Sequence, residues 1–131
     1  MIGLDTNVIV RYLTQDDPTQ SATATRIFEH VLSERDPGFV SIVAMVETVW
    51  VLERAYGFGA KAIASAVEVL LAIDVLSIQF EQQVFAAMLE LKSNRGSFAD
   101  ALIGELGAEA GCSRTVTFDR RATRIPGFAP A

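Results

Sequence analysis

Short apolar runs, each too brief for a helix, alternate along this chain with longer runs of helical period, and that alternation leaves few architectures open. Ile2-Gly3-Leu4 runs into Asp5 and then into an amphipathic stretch carrying Val8, Ile9, Tyr12 and Leu13. Phe39-Val40-Ser41 precedes a helical stretch from Ile42 to about Tyr56, Asp74-Val75-Leu76-Ser77 precedes another from Phe80 to Leu91, and Arg114 to Phe118 ends in Asp119. Strands handing over to helices in this way call for a parallel sheet whose two faces are both covered. The expectation is an α/β fold: a small parallel sheet of four to five strands sandwiched by helices, with more helix than strand. At 131 residues, half of them apolar, the chain is read as one domain, 1–131, with enough material for a true core.

Composition removes several classes of function. No apolar run reaches the roughly 18 residues of a membrane span, and the start of the chain has neither the basic nor the apolar region of a signal peptide. The expected location is therefore the cytoplasm, without membrane attachment. Cys112 is the single cysteine and His30 the single histidine, so neither an internal disulfide nor a His/Cys zinc site can form. Any metal must be held by oxygen. With 16 acidic against 11 basic residues, the chain is not built to grip nucleic acid by charge alone. The basic residues are uneven, however. Lys92 and Arg95 precede one candidate site, and Arg114, Arg120, Arg121 and Arg124 crowd the C-terminal end. Arginine forks suit phosphate, although such a cluster also suits a plain solvated surface.

Local signals divide the helices. Asp17 with Pro18 at the first helical position marks one start, and Ala24, Ile27, Phe28, Val31 and Leu32 follow at helical spacing. Ser41 is placed to cap the next helix, whose apolar stripe is expected on Val43, Val46, Trp50 and Val51 or Leu52, and which ends at Gly57. Glu47 is expected at the border of that buried face, where an unpaired carboxylate is costly. A further helix runs from Ala60 to Ile73, and the one after it carries Val84, Phe85, Met88 and Leu91 as a core stripe. Ser97 opens a helix that reaches Gly111, Arg120 to Ile125 form a short turn or helix, and Pro126-Gly127 end regular structure.

Four carboxylates stand out by position. Asp5 follows the first strand, Glu47 lies one to two turns into the helix after the second, Asp100 is in the first turn of a helix, and Asp119 follows the last strand. In a parallel sheet the strand C-termini share one edge, where open α/β folds keep their ligand sites, and the helix N-terminal turns open toward it. The four are thus expected to meet in one pocket. Each has a plainer reading: Asp5 as an N-cap, Glu47 as a surface residue, Asp100 as half of a capping box with Ser97, Asp119 as a cap of the terminal turn. Jointly the plain readings require four coincidences at one edge. Carboxylates gathered so closely repel one another unless a cation sits among them, and an all-oxygen donor set selects Mg²⁺ or Mn²⁺.

Leu4-Asp5-Thr6-Asn7 with Val8-Ile9, Val46-Glu47-Thr48, Phe98-Ala99-Asp100-Ala101-Leu102-Ile103 and Thr115-Val116-Thr117-Phe118-Asp119 resemble, in order and spacing, the PIN domain, and within it the VapC toxins of bacterial toxin–antitoxin modules. Any one of these motifs is weak; the ordered set extends from Ile2 to about Phe128. The resemblance implies a three-layer α/β/α fold and a Mg²⁺- or Mn²⁺-dependent endoribonuclease. It makes Asp5, Glu47, Asp100 and Asp119 the catalytic and metal-binding set, with Thr6, Asn7 and Thr117 lining or bracing their pocket. It also implies an RNA substrate, a homodimer, and a VapB-like antitoxin protein that blocks the site and through which alone the toxin meets operator DNA. Where some relatives carry a further acidic residue after the last aspartate, this chain has Arg120 and Arg121, which leaves a second metal open.

Rival readings fail at particular residues. A haloacid-dehalogenase-like phosphatase needs a second aspartate where Asn7 stands, a receiver domain needs a lysine after its last strand, and a metal-free ribonuclease needs paired histidines. A catalytically weak PIN-domain module that serves only with an antitoxin in operator binding and autoregulation stays open as the alternative, although it gains nothing from clustered charge.

Overall fold

A computed structural model describes residues 1–131. The chain forms two compact units, Met1–Phe58 with Val69–Gln79, and Gly59–Glu68 with Phe80–Ala131. No helix in it is long and apolar enough to cross a membrane.

The first unit holds β1 (Ile2–Gly3), α1 (Thr6–Thr14), α2 (Pro18–Arg26), β2 (Gly38–Val40), α3 (Ile42–Tyr56) and β3 (Leu76–Ile78). Its three strands pair in parallel in the order β1-β2-β3, with Ile2 opposite Gly38 and Gly38 opposite Leu76. Gly38 sits at the centre in a tight place: a β-carbon there would lie 2.7 Å from a Leu32 methyl, 2.8 Å from Leu4 and 3.1 Å from Leu76, so those side chains would have to shift to admit one. Helix starts follow their capping chemistry. The Asp17 carboxylate accepts from Gln20 N with Pro18 at the first helical position, and the Ser41 hydroxyl accepts from Ala44 N. Helix α2 runs on into a wide π turn, Ile27–Val31, that buries Phe28. α3 stops at Gly57, whose φ of 68° needs no side chain in its way.

One expected stripe is overturned here. Helix α3 buries Ala44, Met45, Thr48, Val49 and Leu52, while Val43 is 69% and Trp50 54% exposed. The helix is apolar nearly all round, so two stripes compete, and Thr48 disguises the one that is buried. Glu47 accordingly lies on an exposed face and not at the core border.

The second unit contains α5 (Glu81–Lys92), α6 (Phe98–Glu109), β4 (Thr115–Thr117) and β5 (Phe128–Pro130), together with most of α4 (Ala60–Leu71), whose last three residues count with the first unit. Ile63, Ala64 and Val67 of α4 are buried, as are Val84, Ala87, Met88 and Leu91 of α5, and Phe98, Ala101 and Leu102 of α6. Each large apolar side chain so buried contributes on the order of 1.5–3 kcal/mol. Phe85, expected in the α5 stripe, is 48% exposed. β4 and β5 pair in parallel, Thr115 opposite Phe128. The strand β5 lies beyond Pro126-Gly127, where regular structure was expected to end, and a single 3-10 turn, Ala122–Arg124, precedes it. The five strands therefore form a three-stranded and a two-stranded ladder, all parallel, among six α-helices.

Candidate functional site

In the first unit the site residues are organised by Thr6. Asp5 leaves β1 in extended conformation and caps α1, its Oδ1 accepting from the Thr6 N–H at 2.9 Å. The Thr6 side chain, 5% exposed, donates its hydroxyl to Glu47 Oε2 at 2.9 Å across 41 residues of sequence. One residue thus holds two carboxylates, one by its backbone and one by its side chain. Asp5 and Glu47 are both exposed, and Asp5 Oδ2 and Glu47 Oε1 accept no hydrogen bond from the protein. Asn7 makes no side-chain hydrogen bond. It lines a separate groove of about 270 Å³ with Val8, Arg11 and residues of α2.

In the second unit Asp100 is the third residue of α6, half-buried, and its N–H donates to the Ser97 hydroxyl at 3.0 Å. A capping box would have the Asp100 carboxylate reach back to Ser97 N. That bond is not made, so both carboxylate oxygens are free at the positive end of a helix. Asp119 follows β4. Its N–H donates to the Thr117 hydroxyl at 3.0 Å, and its Oδ1 accepts from Arg121 N at 2.8 Å. One Asp119 oxygen is thus occupied by the backbone two residues on, just ahead of the 3-10 turn, and the Thr117 hydroxyl holds the Asp119 N–H.

None of the four carboxylates is ion-paired; the four ion pairs of the molecule involve Asp36, Asp16, Glu68 and Glu90. Within neither unit do three His, Cys, Asp or Glu side chains gather closely enough to hold a metal; Asp5 and Glu47 fall in the first unit, Asp100 and Asp119 in the second. Their donor chemistry suits a hard divalent cation: free carboxylate oxygens, no thiolate or imidazole, and no arginine or lysine already neutralising them. The Thr6–Glu47 bond was beyond sequence reading, since nothing local signals a partner 41 positions away.

Parallel strands followed by helices, with an acid at the exit of β1 and another at the exit of β4, define an α/β protein with acidic strand ends. The PIN domain family model matches residues 2–127, and the chain belongs to that family. It is 25% identical over 125 residues to the VapC ribonuclease of Aquifex aeolicus (strain VF5), a match covering 95% of this chain and 91% of that protein.

Proposed function

We propose that the chain is a single PIN domain acting as a metal-dependent endoribonuclease of the VapC type, with Asp5, Glu47, Asp100 and Asp119 as its catalytic, metal-holding set. The observation that carries this reading is the pair of carboxylates held by Thr6. Two carboxylates drawn to one buried threonine, each with an oxygen that accepts no hydrogen bond from the protein, offer paired hard donors of the kind a divalent cation uses. The family match over residues 2–127 and the similarity to a VapC ribonuclease support RNA as the substrate class.

In this reading the two pairs of carboxylates serve Mg²⁺ or Mn²⁺, which supplies Lewis-acid stabilisation of phosphate charge and a water made acidic enough to attack. Thr6 fixes the rotamer of Glu47 and the position of Asp5, and Thr117 fixes the backbone at Asp119, so the ligands are ordered before substrate arrives. No side chain becomes covalently attached. His30, the only histidine, is exposed and remote in sequence from every motif, so no imidazole acid–base pair takes part.

The same reading assigns a VapB-like antitoxin as partner, its basic side chain neutralising the carboxylates, and a homodimer as the working state. The exposed Val43 and Trp50 on α3 support a protein-contact surface there. The test is cleavage of cellular RNA by the antitoxin-free protein with Mg²⁺ or Mn²⁺, beside EDTA and Asp5→Asn. Asp5→Asn keeps the cap on Thr6 N but removes the charge, so cutting is expected to vanish in both controls. A protein that binds Mn²⁺ by calorimetry yet cuts nothing is instead the weak binding module.

A further inference from the structure

Phe118, just past the end of β4, is 95% exposed, the most exposed large apolar side chain in the molecule, and Val116 within β4 is 57% exposed. An aromatic ring set fully in water gains nothing for the fold. Its neighbours are equally unused by the fold. From Arg114 to Arg124 the sequence has four arginines and one acid, Asp119, in a chain whose net charge is −5. Arg114, Arg120, Arg121 and Arg124 are all exposed, and none forms an ion pair or a side-chain hydrogen bond.

The backbone of the segment is nevertheless held by local hydrogen bonds. Asp119 N donates to Thr117 Oγ1 at 3.0 Å, Arg121 N to Asp119 Oδ1 at 2.8 Å, Arg124 N to Arg121 O at 3.2 Å, and the Thr123 hydroxyl to Arg120 O at 2.5 Å. A ligand that uses this surface therefore finds the backbone in place and has only side chains to immobilise.

We propose that Phe118 is a stacking platform for a nucleobase of single-stranded RNA, with Arg120, Arg121 and Arg124 taking the flanking phosphates, so that the strand is laid beside Asp119. Single-strand binding elsewhere combines these same two components, a flat aromatic face that accepts any base and a run of positive charge that follows the backbone. The arginine fork adds bidentate contacts to phosphate oxygens. Local charge complementarity decides between RNA and an apolar protein segment: four exposed, unpaired arginines within 114–124, in the same segment as the ring, fit a polyanion. This inference rests on the ribonuclease reading for the choice of RNA, but not on its chemistry.

The experiment is fluorescence anisotropy of a short labelled single-stranded RNA oligonucleotide in EDTA, where no metal-dependent cleavage occurs. Wild type is compared with Phe118→Leu, Phe118→Tyr and Arg120→Ala/Arg121→Ala. Phe118→Leu is expected to bind about tenfold more weakly, equivalent to ~1.4 kcal/mol, while Phe118→Tyr binds as wild type. The double arginine variant loses affinity and also flattens the dependence of binding on salt. An oligonucleotide with an abasic position at the stacked base is expected to bind the wild type about as weakly as the Leu variant binds intact RNA, with no further loss when the two are combined. Since Phe118 packs against nothing, its variants are expected to melt with the wild type. Equal binding by Phe118→Leu and wild type overturns the proposal and returns Phe118 to protein contact, as does a wild type with no measurable affinity for RNA. The two readings fail separately. Phe118-dependent binding without metal-dependent cutting sinks the nuclease alone, and cutting by Phe118→Leu with unchanged KM sinks the platform alone.

Discussion

Replacing Thr6 by Val removes a hydroxyl and little else. The side chain is 5% exposed and its hydroxyl donates to Glu47 Oε2 at 2.9 Å, so valine keeps the shape and breaks that bond. Hydrogen bonds to a charged group contribute roughly 1.5–3 kcal/mol, but Glu47 is exposed and water replaces the lost donor. A net loss of about 1 kcal/mol is expected. With an unfolding entropy of roughly 2.1 cal/mol/K per residue, the 131 residues turn this into a fall in Tm of about 4 °C.

The effect of Thr6→Val on cleavage is expected to be far larger, because a catalytic group displaced by about 1 Å costs up to ~10²-fold. The assay is a double-mutant cycle with Glu47→Gln, reading both Tm and kcat. Gln keeps an oxygen for the Thr6 hydroxyl but carries no charge for a cation, so alone it abolishes cleavage while leaving Tm close to wild type. Thr6→Val added to Glu47→Gln then lowers kcat no further, since residues acting as one unit are not additive. The reasoning is refuted if Thr6→Val alone retains wild-type kcat, or if its effect on Tm is the same when Glu47 is replaced by Ala.

Other outcomes follow from the same coordinates. The Thr48 hydroxyl is buried in α3 with no hydrogen-bond partner, so Thr48→Val is expected to raise stability by about 1 kcal/mol by removing an unsatisfied group, a gain in Tm of about 4 °C in calorimetry. A fall in Tm would show that the hydroxyl has a partner after all. Asp16 is held below its ordinary carboxyl value of 3.8, chiefly by the Tyr56 hydroxyl donating to Oδ2 at 2.6 Å, then by the Thr14 hydroxyl. Because its folded-state value is the lower one, Asp16 adds stability above the unfolded value and loses it as pH falls below 3.8 through the folded one. Tyr56→Phe is therefore expected to move the Asp16 titration upward by NMR and to shrink the acid-side loss of stability; an unmoved Asp16 titration would exclude the hydroxyl as the cause.

What could be read from the chain depended on the range of the interaction that decides each feature. Caps and stops are settled within four residues, and Asp17 with Pro18, Ser41, Gly57 and Ser97 stand where their local chemistry requires. Faces are decided by what packs against a helix. In α3 the buried side follows Met45, Val49 and Leu52, and no count of apolar residues separates that stripe from Val43 and Trp50. β5 escaped notice because three residues after Pro126-Gly127 carry no strand pattern of their own; they become a strand by pairing with Thr115 to Thr117.

The carboxylates show the same division. Their positions at strand ends and helix starts are local and were legible, whereas the partners that distinguish a cap from a ligand are not. Asp5 does cap its helix, and capping uses one oxygen. The other oxygen, the Thr6 hydroxyl turned to Glu47, and the capping-box bond that Asp100 does not make separate the two roles. A residue that caps with one oxygen still has the other to offer a cation, so the cap is no argument against the proposed site. It is the means by which the fold holds one oxygen of an exposed carboxylate in a set direction.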